Sequence, residues 1–78
     1  MKQKTMRAVV TFHTTAEAMA TERACRENGL AGKLISAPRT LSADCGIAWS
    51  APVETRAALE TLLAAERVEY DGIYELEL

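Results

Sequence analysis

Alternation between short β-type runs and helical patterns constrains the fold of this chain most strongly. Met6–Phe12 is β-branched and apolar, which predicts a strand. Thr14–Glu17 then has the S/T-x-x-E form of a capping box, in which two residues at a helix start satisfy each other's backbone N–H groups. A helix is predicted from about Thr15 to Asn28, because Gly29 stands where a left-handed residue commonly ends a helix. These segments predict a strand followed by a helix.

The remaining segments predict three strands and a second helix. Gly32–Ile35 and Cys45–Ser50 have β-type patterns, and Gly72–Leu78 alternates apolar and acidic side chains. Ser36–Asp44 contains proline and small polar residues, so it is predicted to be a loop. Pro52 is expected in the first turn of the second helix, where its missing N–H is harmless. The apolar stripe of that helix consists of Ala58, Leu59, Leu62 and Leu63.

The resulting order, β-α-β-β-α-β, is the signature of a ferredoxin-like split βαβ sandwich. The sequence therefore predicts an α+β fold with a four-stranded antiparallel sheet and two helices on one face. We expect one domain over residues 1–78, with a structured core of about 7–76. Right-handed crossovers place strand three between strands one and two. Cys45 should then lie near His13, Thr14 and Thr15, where strand one ends and helix one begins.

Composition excludes several classes of function. A net charge of −2 and only four aromatic residues argue against nucleic-acid binding by phosphate neutralisation or base stacking. No apolar run approaches the roughly 20 residues of a membrane span, and Thr5, Arg7, Thr11 and His13 interrupt any signal-peptide pattern. Fourteen alanines predict a thin core, so a homodimer that buries more apolar surface is a reasonable expectation.

The two cysteines form neither a CxxC pair nor a disulfide framework, which predicts a protein of the reducing cytosol. With one histidine and two separated cysteines, no metal site of the usual spacing is expected. Cys25 falls on the apolar face of the first predicted helix, where a packing role is expected.

Cys45 is the candidate for chemistry, because it stands where a loop meets a strand. Arg39 in the same loop and the nearby helix N-terminus would both favour a thiolate, whereas the adjacent Asp44 carboxylate would disfavour one. Gly46 leaves room for a turn or for a partner. His13 is a candidate proton relay. The alternatives are packing for Cys45, a surface or capping role for His13, and a solvated loop position for Arg39.

The chain also resembles the family of small selenium/sulfur carrier-like proteins, over about Arg7 to Glu75. The most specific part of the resemblance is the P-R-x-L-S-x-x-C-G tract. The residues that carry it are Phe12-His13-Thr14-Thr15, Ala18, Glu22, Pro38-Arg39-Thr40-Leu41-Ser42, Cys45-Gly46-Ile47-Ala48 and Gly72-Ile73-Tyr74. Asp44 departs from the small neutral polar residue that is expected there.

The resemblance implies a carrier protein rather than an enzyme. Cys45 would hold sulfur or selenium as a persulfide or selenopersulfide, with Pro38, Arg39, Ser42 and Gly46 as loop residues that support the thiolate. It implies donor and acceptor proteins as partners, and no cofactor. The alternative is a regulatory or small-ligand-binding module that dimerises and binds an anion beside helix one, since this fold implies no single function.

Overall fold

The computed structural model describes residues 5–41 and 45–78. Its elements follow the predicted order of strands and helices. They are β1 (Met6–Thr11), α1 (Thr15–Glu27), β2 (Lys33–Ser36), β3 (Ile47–Pro52), a 3-10 turn (Val53–Thr55), α2 (Arg56–Ala65) and β4 (Gly72–Glu77). The predicted ferredoxin-like arrangement is therefore confirmed.

The four strands form one antiparallel sheet in the order β2-β3-β1-β4. Thr11 at the end of β1 pairs with Ala48 near the start of β3 and with Gly72 at the start of β4. Ser36 at the end of β2 pairs with Ile47. The ends of β1 and β2 thus meet the starts of β3 and β4 at one end of the sheet, which we call the site end.

The core lies between the two helices and one face of the sheet. Its buried members are Val10, Phe12, Trp49 and Ala51 from the sheet side and Ala18, Cys25, Leu59 and Leu63 from the helices. Side chains alternate between the two faces of a strand, so Val9, Thr11, Ala48 and Ser50 lie on the face turned away from the helices. We call this the open face, and its central residues are also buried.

Both ends of α1 have the structure that the local sequence predicts. Thr14 Oγ1 accepts a hydrogen bond from the Glu17 N–H (3.2 Å), and the Glu17 carboxylate accepts one from the Thr14 N–H (3.3 Å). Asn28 caps the other end, and Gly29 follows with a φ of +70°. The capping box and the left-handed glycine therefore fix α1 between β1 and β2.

The ends of β1, β2 and β4 differ from the prediction by one residue, and two further differences, at the start and the end of β3, bear on the site. β3 begins at Ile47 rather than Cys45, because Gly46 has a φ of +75° and cannot continue a regular strand. Pro52 closes β3 instead of opening a helix, and its carbonyl accepts a 2.7 Å hydrogen bond from Thr55 Oγ1 across the 3-10 turn. The shift at β3 leaves Cys45 in the turn that precedes the strand. Within residues 5–41 and 45–78, no helix is long and apolar enough to cross a membrane.

Candidate functional site

Cys45 lies at the site end, in the turn that leads into β3. Its thiol donates a 3.4 Å hydrogen bond to the Ile47 carbonyl. The side chain is half-buried and packs against the rim of the helix-side core. The Ala37 N–H donates to the Gly46 carbonyl (2.9 Å), which joins the two sides of the loop directly beside Cys45. The side chain is therefore held at the start of β3 while part of the residue stays accessible.

Gly46 is needed for the backbone conformation of this turn and not for side-chain packing. Its φ of +75° lies in the left-handed region that side-chain-bearing residues adopt at a cost. A Cβ built at this position would meet no atom within 4 Å, so no neighbouring group crowds it. The glycine therefore sets the direction in which the chain, and with it Cys45, enters β3.

The loop before Cys45 opens with a short turn. The Leu41 N–H donates to the Pro38 carbonyl (2.9 Å), which places Arg39 at the exposed side of this turn. In the part of the chain that the structure describes, the Arg39 guanidinium makes no hydrogen bond or ion pair. Ser42 and Asp44, which the sequence singles out, lie outside the described residues.

The N-terminus of α1 already holds an anion of the protein itself. The Glu17 carboxylate accepts hydrogen bonds from the His13 N–H (2.9 Å) and the Thr14 N–H (3.3 Å). A carboxylate at this position offsets the positive end of the helix dipole. The predicted support of a Cys45 thiolate by this helix end therefore competes with Glu17, and it stays a prediction.

His13 is paired with Asp71, a residue that the sequence did not single out. His13 Nε2 lies 3.8 Å from Asp71 Oδ1, and Thr11 Oγ1 donates to Asp71 Oδ2 (3.3 Å). The Asp71 N–H also donates to the Thr11 carbonyl (2.7 Å), so this carboxylate is fixed at the site end. No local sequence signal identifies Asp71, because its contact with His13 depends on the pairing of β1 with β4.

Cys25 has the opposite environment. It is fully buried on the sheet-facing side of α1, together with Ala18, Thr21 and Ala24. Burial raises the pKa of its thiol, because the thiolate would lose its hydration in the core. The packing role predicted for Cys25 is therefore confirmed, and both cysteines are free thiols.

Comparison with known proteins adds a family to this geometry. A family model described as "Putative Se/S carrier protein-like" matches residues 7–75. The chain belongs to this family. The match spans nearly all of the chain, including the site end with His13, Cys45 and Asp71. No curated protein and no solved structure matches the chain.

Proposed function

We propose that this member of the carrier-like family holds sulfur or selenium on Cys45 and passes it between two partner proteins. The observation that carries the proposal is the placement of Cys45 in the turn before β3, as a half-buried free thiol. A carrier atom must be reachable by two partners in succession, and the other thiol of the chain is enclosed in the core. The family description supports the same chemistry.

The transfer is an exchange reaction without net oxidation. The Cys45 thiolate attacks the terminal sulfur of a donor persulfide and forms a new S–S bond. The S–S bond of the donor breaks, and the donor leaves as a thiolate with the electron pair of that bond. An acceptor thiolate then attacks the terminal sulfur on Cys45 and releases the Cys45 thiolate. Selenium follows the same steps as a selenopersulfide, and neither step needs a cofactor.

We propose that His13 acts as the base that accepts the proton of the Cys45 thiol, and that Asp71 orients the His13 imidazole. Both residues lie at the site end, and the Asp71 carboxylate lies 3.8 Å from His13 Nε2, where it restricts the orientation of the imidazole. His13 is half exposed, so it exchanges its proton with water between transfers. This assignment makes Asp71 a positioning residue that acts through His13.

The loop residues have supporting roles in the proposal. Pro38 shapes the turn, and Gly46 sets the direction of the chain at Cys45. Arg39, exposed in that turn, offers its charge to the persulfide anion or to an acidic partner. We include Ser42 from the same tract, and Thr14 and Thr15 as neighbours at the start of α1. A persulfide survives in a reducing compartment only when it is handed on quickly, and we place the transfer in the cytosol.

Loading with sulfur tests the proposal directly. The protein is incubated with a cysteine desulfurase and cysteine, or with a selenocysteine lyase and selenocysteine, and its intact mass is measured. We expect an increase of one sulfur atom (about 32 Da) or one selenium atom (about 79 Da), which dithiothreitol removes. Cys45→Ala should abolish the increase.

Cys25→Ala is the matched control, since it removes the other thiol and should retain the adduct. Circular dichroism confirms that both variants are folded. An adduct that persists in Cys45→Ala and disappears in Cys25→Ala would contradict the assignment. The absence of any adduct in the wild-type protein with both donors would contradict the carrier function itself.

A further inference from the structure

The open face carries a groove that the proposed carrier chemistry does not use. It has a volume of about 410 Å³ and is lined by Thr5, Arg7, Lys33, Ile35, Ser50 and Leu78. This volume falls within the usual range of small-molecule sites, about 300 to 1,000 Å³. Cys45 packs on the opposite, helix-facing side of the sheet. The groove is therefore separate from the carrier thiol.

The position of the two cations follows from the strand register. Lys33 on β2 pairs directly with Ser50 on β3, and Ser50 pairs with Val9 on β1, two residues from Arg7. Residues two apart on a strand share a face, so Arg7 and Lys33 flank Ser50 on the open face. Both side chains line the groove.

Arg7 is held in place by a buried partner. Its Nε donates to Ser50 Oγ (2.9 Å) and its Nη2 donates to the Ser50 carbonyl (3.3 Å), while Ser50 itself is only 2% exposed. These bonds use two of the five N–H donors of the guanidinium. The remaining donors, on a planar group of fixed orientation, are suited to a carboxylate or a phosphate.

The groove lacks a side-chain anion of its own. None of its lining residues is Asp or Glu, and among the described residues neither Arg7 nor Lys33 forms an ion pair with a side chain or with the carboxylate of Leu78. Two cations are thus concentrated in one groove of a chain whose net charge is −2. A second copy related by a two-fold axis through the groove would bring its own Arg7 and Lys33 against those of the first copy. Charge complementarity therefore favours an anionic occupant over a second copy.

The rest of the lining indicates what is attached to that anion. Ile35 lies two residues from Lys33 on the same face of β2, whereas Leu78 lines the groove at its other end, beyond Arg7. We propose that this groove binds a small organic anion, with a carboxylate or phosphate head between Arg7 and Lys33 and an apolar body against Ile35. The site is independent of the carrier function, because it lies on the other face of the sheet.

Titration with model ligands, followed by amide and Arg Nε NMR signals, tests this site. The probes are hexanoate and hexyl phosphate, with acetate as the head group alone and hexanol as the apolar body alone. We expect saturable shifts of Arg7 Nε and of the Lys33 and Ser50 amides with hexanoate or hexyl phosphate, and weaker binding of acetate and hexanol. The tighter of the two six-carbon anions identifies the head group.

Variants connect the binding to the two cations. Arg7→Gln should weaken binding by about tenfold, as expected for a charge-assisted hydrogen bond, and Lys33→Gln by about threefold. Arg23→Gln on exposed α1 removes the same charge elsewhere and should bind like the wild-type protein. Cys45→Ala should also bind normally, which separates this site from the carrier function. Lys33 is exposed, so its variant keeps the test valid if Arg7→Gln does not fold.

Three outcomes would overturn the proposal. The first is no saturable shift with either six-carbon anion. The second is equal binding of hexanol and hexanoate, which would show an apolar surface without charge selectivity. The third is an equal loss of affinity in Arg23→Gln and Lys33→Gln, which would show that only the net charge matters.

Discussion

The two cysteines of this chain have the same side chain but lie in opposite environments. Cys25 stands in a helix, fully buried, and burial raises its pKa. Cys45 lies in a turn and is half-buried, and its thiol donates a hydrogen bond to the Ile47 carbonyl. The difference comes from the backbone: α1 presents one face to the sheet, whereas Gly46 turns the chain at the site end. Cys25 therefore packs in the core, whereas Cys45 is the candidate carrier thiol.

The largest expected difference between the two sites is in stability. Cys25→Ser places a hydroxyl in the apolar core, which should lower the free energy of unfolding by about 1–3 kcal/mol. Cys45→Ser should change it by less than about 0.5 kcal/mol, because its hydroxyl can donate to the Ile47 carbonyl or to water. Urea denaturation measures both values. Equal losses in the two variants would contradict the contrast in burial.

The pH dependence of stability should also distinguish the cysteines. Because burial raises the pKa of Cys25, the unfolded chain releases this proton before the folded protein does. Above about pH 8.5 the wild-type protein should therefore lose free energy of unfolding relative to Cys25→Ala, by at most about 1.4 kcal/mol per pH unit. The stabilisation is complete below that pH and is lost as the pH rises through the folded-state pKa.

Denaturation series of the wild-type protein, Cys25→Ala and Cys45→Ala at increasing pH measure this effect. The decline should be present in Cys45→Ala and absent in Cys25→Ala. A decline of the same size in Cys25→Ala would assign it to another group.

Two glycines provide a smaller and more local test. Gly46 precedes β3 with a φ of +75°, and Gly29 follows α1 with a φ of +70°. Neither position would crowd a Cβ, so Gly46→Ala and Gly29→Ala should each cost about 1 kcal/mol of stability from backbone strain alone. Only Gly46→Ala should change the alkylation rate of Cys45, since only this residue directs the chain at the thiol. Equal alkylation rates in the two variants would show that the Gly46 backbone does not position Cys45.

The sequence predicts those parts of the fold that local interactions determine. The capping box of Thr14 and Glu17, the left-handed Gly29 and the buried face of α1 depend on residues a few positions apart. The order of elements then follows from hydrophobic periodicity, and the ferredoxin-like topology from that order. Cys25 was assignable to the core for the same reason.

Pairings between distant residues could not be predicted in this way. The Asp71 contact with His13 joins the residue before β4 to the segment after β1, and the Arg7 contact with Ser50 joins β1 to β3. Both contacts depend on the register of the finished sheet. The predicted start of β3 was wrong because the sequence pattern does not show the positive φ of Gly46, which is a property of the folded loop. The sequence alone also does not show that the alternating Tyr74 and Leu76 lie on the open face, opposite Val9 and Arg7.

Differential alkylation of the folded wild-type protein tests the central claim most directly, since both thiols are measured in one sample. The protein is treated with iodoacetamide at neutral pH for increasing times, and the modified peptides are quantified by mass spectrometry. We predict that Cys45 is modified in the folded protein, because part of the residue is accessible, and that Cys25 is modified only after denaturant is added. Modification of Cys25 at the rate of Cys45, or a Cys45 as protected as Cys25, would contradict the assignment of Cys45 as the carrier thiol.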